Sequence, residues 1–162
     1  MRRSGVSFIE ILVVIAIFAI LGVLVARITL VTLRGSNKSD SLIKVRENLD
    51  FSLAVMERGI RNAEAVIPCP NPDTTVLNYS DSEGVSSSFS CVNVGATGYV
   101  ASASARLTSD EIKITSCSIS CTQGAGAVPP SVTISLEAAD ARATGVEAAQ
   151  VSATTKIFLR TY

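Results

Sequence analysis

The chain has 162 residues, is 48% hydrophobic with a mean hydropathy of +0.41, and balances 14 Lys and Arg against 14 Asp and Glu. That neutral balance lacks the basic field by which proteins hold polyanions, so nucleic acid is not indicated as a partner. With no histidine in the chain, the commonest acid–base residue and metal ligand at neutral pH is missing, and neither a metal nor any other cofactor is expected.

Residues 1–34, MRRSGVSFIEILVVIAIFAILGVLVARITLVTLR, open with Arg2 and Arg3, pass Gly5–Val6, and then run apolar with a single carboxylate, Glu10; no residue from Ile11 to Ala26 is charged. As a helix, Glu10 to Leu33 extends roughly 36 Å, enough to cross a hydrocarbon core of about 30 Å. Positive flanks stay cytoplasmic, so the rest of the chain is expected on the exported side. A removable secretory signal fits poorly, because a small-residue cleavage site is needed and the candidate cuts place Leu24, Ile20 or Ile17 at the critical position. A plain membrane anchor accounts for the hydropathy but leaves Glu10 unexplained, since a lone acid in a spanning helix costs on the order of 2.5–3.5 kcal/mol.

The run Gly5-Val6-Ser7-Phe8-Ile9-Glu10 followed by ILVVIAIFAIL resembles the N-terminal signal of type IV pilins and type II secretion pseudopilins. The resemblance covers about the first fifth of the chain. It implies cleavage after Gly5 by a membrane-embedded prepilin peptidase, N-methylation of Val6, and a role for Glu10 in assembly, pairing with the N-terminal amine of a neighbouring subunit. The family's usual first mature residue is phenylalanine; Val6 departs from that, with Phe8 two places later. The implied partners are other pilin subunits, met through helix–helix packing, together with the peptidase, an inner-membrane assembly platform and membrane lipid. The implied location is the cytoplasmic (inner) membrane, crossed once, and then a pilus or pseudopilus. Charge chemistry agrees, because a buried acid is tolerable only beside an opposite charge, and Val6 and Glu10 also stand at i and i+4 of one helix. Losing Arg2 and Arg3 with the leader takes the 14 basic residues to 12 against 14 acidic, a net −2.

Gly35-Ser36-Asn37-Lys38-Ser39-Asp40 is a polar interval of helix-weakening residues. With no proline before Pro68, a continuous helix with local softness is expected; many pilins carry a kinking proline in the membrane half, where this chain has only Gly22. From Ser41 onward Leu42, Val45, Leu49, Leu53, Met56, Ile60 and Ala63 recur at spacings of three or four, an apolar stripe for a globular domain to pack against. Lys44, Arg46, Glu47, Asp50, Glu57, Arg58 and Arg61 form its rim, read as a solvated face in preference to a partner-binding one, with Glu57 and Arg61 placed for an i,i+4 pair. Pro68 and Pro70 are expected to end the helix.

Beyond them lie short strand candidates separated by Gly, Ser, Pro and Asn: 74–79, 85–94, 99–102, 111–119, 132–137 and 151–161. Val132, Ile134 and Leu136 alternate with Thr133 and Ser135, Ile112 alternates with Ile114, and Ile157 and Leu159 oppose Phe158. Residues 138–149, alanine-rich, read equally as short helix or loop. The predicted class is α+β: a long N-terminal helix, membrane-spanning in its first half and amphipathic in its second, packed on a C-terminal antiparallel sheet. The expected organisation is leader 1–5, membrane and polymerisation half 6–34, amphipathic exported half 35–67, and β-rich domain 68–162.

Cys69, Cys91, Cys117 and Cys121 all fall on the exported side and allow three pairings. Local proximity favours Cys69–Cys91 and Cys117–Cys121. Such bonds stabilise a small exported domain by about 2–4 kcal/mol. A four-cysteine zinc site needs paired short knuckles, which only Cys117-x3-Cys121 approaches, and free thiols are a third option. Asn78-Tyr79-Ser80 is a sequon read as incidental in a prokaryotic chain. With no histidine and no G-x-S-x-G turn, nothing activates a nucleophile, so no enzymatic role is expected. Two functional classes follow: a structural subunit of a twitching, secretion or DNA-uptake fibre, or a minor tip pilin that binds DNA, glycan or a secreted protein. Arg58-Gly-Ile-Arg61-Asn62-Ala63 and Lys156-Ile-Phe-Leu-Arg160-Thr-Tyr162 look similar to minor pilin or pseudopilin sequences. A membrane-anchored protein that never polymerises is the third option.

Overall fold

The computed structural model describes residues 7–81, 83–125, 128–142 and 148–159. The chain divides into two compact units, Met1–Lys38 and Ser39–Tyr162. One α-helix, α1 (Phe8–Arg61), runs without interruption through Gly35 and the polar residues after it. At its start the Ser7 carbonyl accepts the N–H groups of Glu10 at 3.0 Å and Ile11 at 3.3 Å. Glu10 in the first turn and Arg58 and Arg61 in the last match the helix dipole.

The helix ends at Arg61, short of residue 67 and of the prolines expected to stop it. Ala63, expected as the last stripe residue, instead begins a strand, β1 (Ala63–Val66), and remains buried there. Eight further strands follow: β2 (Asn71–Thr74), β3 (Val76–Asp81), β4 (Ser86–Val92), β5 (Tyr99–Ser102), β6 (Ala105–Arg106), β7 (Ile112–Thr122), β8 (Ser131–Asp140) and β9 (Gln150–Phe158). They form two antiparallel sheets where one was expected: β1-β3-β4-β5-β6 and β2-β7-β8-β9. The strands that patterning missed, β1, β2 and β6, are short edge strands with too few residues to show an alternation. Residues 138–140 complete β8, and residues 143–147 of the ambiguous alanine-rich segment lie outside the described residues.

The alternation read along the longer strands sets their faces. Val132, Ile134, Leu136, Ile112, Ile114 and Ile157 are all buried, and Phe158 is exposed opposite its neighbours. Within the globular unit Val45, Leu49, Leu53, Met56 and Ile60 of α1 pack with Leu77, Phe89 and Val100 of the first sheet and the isoleucines of the second. Burying each large aliphatic side chain is worth about 1.5–3 kcal/mol, so this seam fixes the second half of the helix to the domain. Gly59 sits where α1 approaches the ring of Phe89, itself stacked on Tyr79 with centroids 5.1 Å apart; a Cβ there would lie 2.9 Å from Phe89 Cζ.

Hydrogen bonds and disulfides join the sheets. The loop after β4 is bonded to β7, with Gly95 N–H donating to the Ile114 carbonyl and Ile114 N–H to the Gly98 carbonyl, both at 2.8 Å. A covalent tie runs from Cys91 of β4 to Cys117 of β7, with Cα atoms 6.4 Å apart. The other disulfide, Cys69–Cys121, spans 5.4 Å between Cα atoms and ties the segment after β1 to β7. Both bonds overturn the pairing expected from proximity. Cys117 and Cys121 stand on one extended strand, β7, where four residues span about 13 Å, well beyond the roughly 4.4–6.8 Å that a disulfide bridges.

Candidate functional site

From Phe8 to Leu33 every residue of α1 is exposed. Phe8 is 80% exposed, Phe18 70% and Val31 70%. The most apolar stretch has a mean hydropathy of 3.1 with none of it buried, so this is one helix near the N-terminus long and apolar enough to span a membrane. Large aliphatic side chains occupy all sides of it, in contrast to the single stripe of a surface helix.

The polar groups in this segment are few and self-contained. Thr29 Oγ1 donates to the Val25 carbonyl and Thr32 Oγ1 to the Ile28 carbonyl, both at 2.9 Å. Neither hydroxyl therefore needs water, and neither opposes an apolar environment. Arg27 and Arg34 close the run on long stems that let a charged head reach an interface while the methylenes stay in the apolar layer.

Glu10 is the exception. It stands in the first turn with Val13 and Val14 at the positions one turn on, and among the described residues it forms no ion pair. With valines one turn on and no cation beside it among the described residues, this carboxylate would call for a cation in any apolar medium. Gly5 and Val6, the expected cleavage and methylation positions, lie outside the described residues.

The other singled-out residues fall in the globular unit and serve its structure. All four cysteines are in disulfides, which removes the thiolates a zinc site would need, and no cluster of metal ligands occurs among the described residues. Of the helix-rim cations, Arg61 pairs with Glu57 at 2.5 Å, Arg46 with Asp50 at 3.9 Å, and Lys44 with Glu111 at 3.7 Å, Glu111 also meeting Arg142 at 3.6 Å. These three cations are paired on a solvated face, while Arg58 is exposed there with no ion pair among the described residues. Asn78 of the sequon is exposed on β3.

Sequence reasoning missed the polar clasp that ties the helix to β8 and to the segment before β7. Ser41 Oγ donates to Asp140 Oδ2 at 2.6 Å across 99 residues, and Ser109 N–H donates to Asn48 Oδ1 at 3.0 Å across 61. No local pattern encodes contacts at such separations. Ser41 among apolar stripe residues was the only available signal. Comparison with protein-family models, with curated proteins and with solved structures returns no match.

Proposed function

We propose that this chain is a structural, non-enzymatic subunit of a type IV pilus or type II secretion pseudopilus, held in the inner membrane by the first half of α1 and polymerised through it. The observation that carries this reading is the pairing of an uncovered, all-round apolar helix half with one carboxylate in its first turn. Such a surface needs either lipid or the helices of other subunits, and Glu10 needs a cation in both settings. A free amine at Val6, produced by cleavage after Gly5, supplies that cation from a neighbouring subunit. The basic leader places residues 1–5 on the cytoplasmic side and the disulfide-bonded domain on the exported side, where such bonds persist.

The test joins mass analysis of the membrane-extracted protein to assembly of a variant. Residues 1–5 should be absent and Val6 should carry one methyl group. Glu10→Ala should leave the globular domain folded, with both disulfides formed, yet abolish recovery of the protein in sheared fibres. A protein that keeps Met1 and enters fibres equally well without Glu10 defeats the proposal.

A further inference from the structure

The four sheet edges are unequal. β1 has four residues and a register shift, β2 has four residues, a register shift and Pro72, and β6 has two residues. Shortness, irregularity and proline are the usual means by which an edge is kept from pairing with another chain. β9 has none of them. It is nine residues long and pairs with β8 from Ser131↔Phe158 to Ala139↔Gln150 without a shift.

The direction of its backbone groups follows from the flanking bonds. Leu159 N–H donates to the Pro130 carbonyl, and Asp140 N–H to the Ala149 carbonyl. Residues of the same parity as 149 and 159 therefore bond to β8, and the amides and carbonyls of Gln150, Ser152, Thr154, Lys156 and Phe158 point away from it. This outward set is symmetric about Thr154. Two copies of β9 laid antiparallel in that register satisfy every member at once, with Thr154 opposite Thr154, Ser152 opposite Lys156 and Gln150 opposite Phe158.

The side chains suit the same register. On the inner face half-buried Val151 would meet Ile157 of the second copy, and Ala153 would meet Thr155, extending the core cluster that Val151 and Ala153 already flank. On the outer face no like charges face each other. Glu137 of β8 lies beside Ser152 in the same cross-strand row, and Ser152 is where the second copy's Lys156 would arrive. Two strand spacings, about 10 Å, separate those backbones, and the short serine between them lets a lysine and a glutamate meet. Among the described residues Glu137 Oε1 accepts from Gln150 Nε2 at 2.6 Å.

We propose that β9 is a self-pairing edge, joining two copies of this chain in an antiparallel, two-fold contact centred on Thr154. The contact does not rest on the helix-mediated assembly proposed above. Lys156 Nζ now lies 5.3 Å from the centroid of the Phe158 ring on its own strand; its competing role is that of an edge charge that prevents pairing, and the experiment separates the two.

The full chain, purified in detergent, should form a reversible dimer. Thr154→Cys should cross-link that dimer under mild oxidation, the bond mapping to position 154 of both copies, since directly opposed Cα atoms in a hydrogen-bonded pair lie about 5.5 Å apart, within disulfide reach. Lys156→Glu, which brings two acids together at each end, should weaken association roughly tenfold, because symmetry counts the contact twice; adding Glu137→Lys should restore it. Glu10→Ala should leave the dimer intact, and Lys156→Glu should leave entry into fibres intact. Tighter association in Lys156→Thr, failure of the reciprocal charge swap to restore pairing, or no cross-link at position 154 overturns the inference.

Discussion

One helix carries two opposite surfaces. Its first half, Phe8 to Lys38, is exposed throughout, whereas Ser41–Arg61 buries Val45, Leu49, Met56 and Ile60 completely. The two halves do not differ in helix-forming capacity, because the backbone ladder is continuous through Gly35. They differ in where their apolar side chains find a partner. The second half is satisfied by its own domain and contributes to a folding free energy. The first half is exposed among the described residues, and its apolar surface yields energy only in an apolar medium.

The largest expected effect tests that division directly. Leu49→Ala should cost about 2–5 kcal/mol of domain stability through the cavity it leaves, and Leu21→Ala, equally apolar but uncovered, should leave the denaturation midpoint of the domain unchanged. Equal losses would erase the distinction between the halves. Next in size are the disulfides. Non-reducing mass analysis after alkylation should find no free thiol, and proteolytic mapping should give Cys69–Cys121 and Cys91–Cys117; replacing Cys91 and Cys117 by alanine should lower stability by about 2–4 kcal/mol. Smaller still is Gly59→Ala, where about 1–3 kcal/mol of overpacking against Phe89 outweighs the roughly 1 kcal/mol that alanine gains in helix propensity. Gly35→Ala, with open space around its Cβ, should show only that gain, measured as increased helix content.

Much of this arrangement was legible in the sequence because it depends on local period. The apolar run of α1, the helix stripe and the alternation in β8 are each written in consecutive residues, and each is present in the structure, except that Leu42, expected in the stripe, is exposed and Ala63 has passed into β1. What escaped was set by tertiary contact. β1 is only four residues beside the helix end, and its alanines carried the helical period far enough to disguise a strand. The division into two sheets depends on which strand meets β7, a matter of pairings dozens of residues apart. The cysteine partners were misassigned for the same reason, since β7 runs on to Thr122 and makes neighbours in sequence distant in space. Glu10 stood out at once, because an acid in an apolar run is conspicuous whatever surrounds it. The edge character of β9 became visible only with the strand order.

Both disulfides end on β7, four residues apart, and that gives the molecule a particular response to mechanical load. A pull entering along the helix leaves it at Arg61, crosses the short stretch to Cys69, and passes by the bridge to Cys121 straight into the second sheet. The chain enclosed between those cysteines, with β3, β4 and β5, is bypassed and cannot be drawn out while the bridge holds. Under tension the subunit should therefore lengthen only outside the stretch from Cys69 to Cys121, in the helix, in the connector that holds β1, and in β8 and β9.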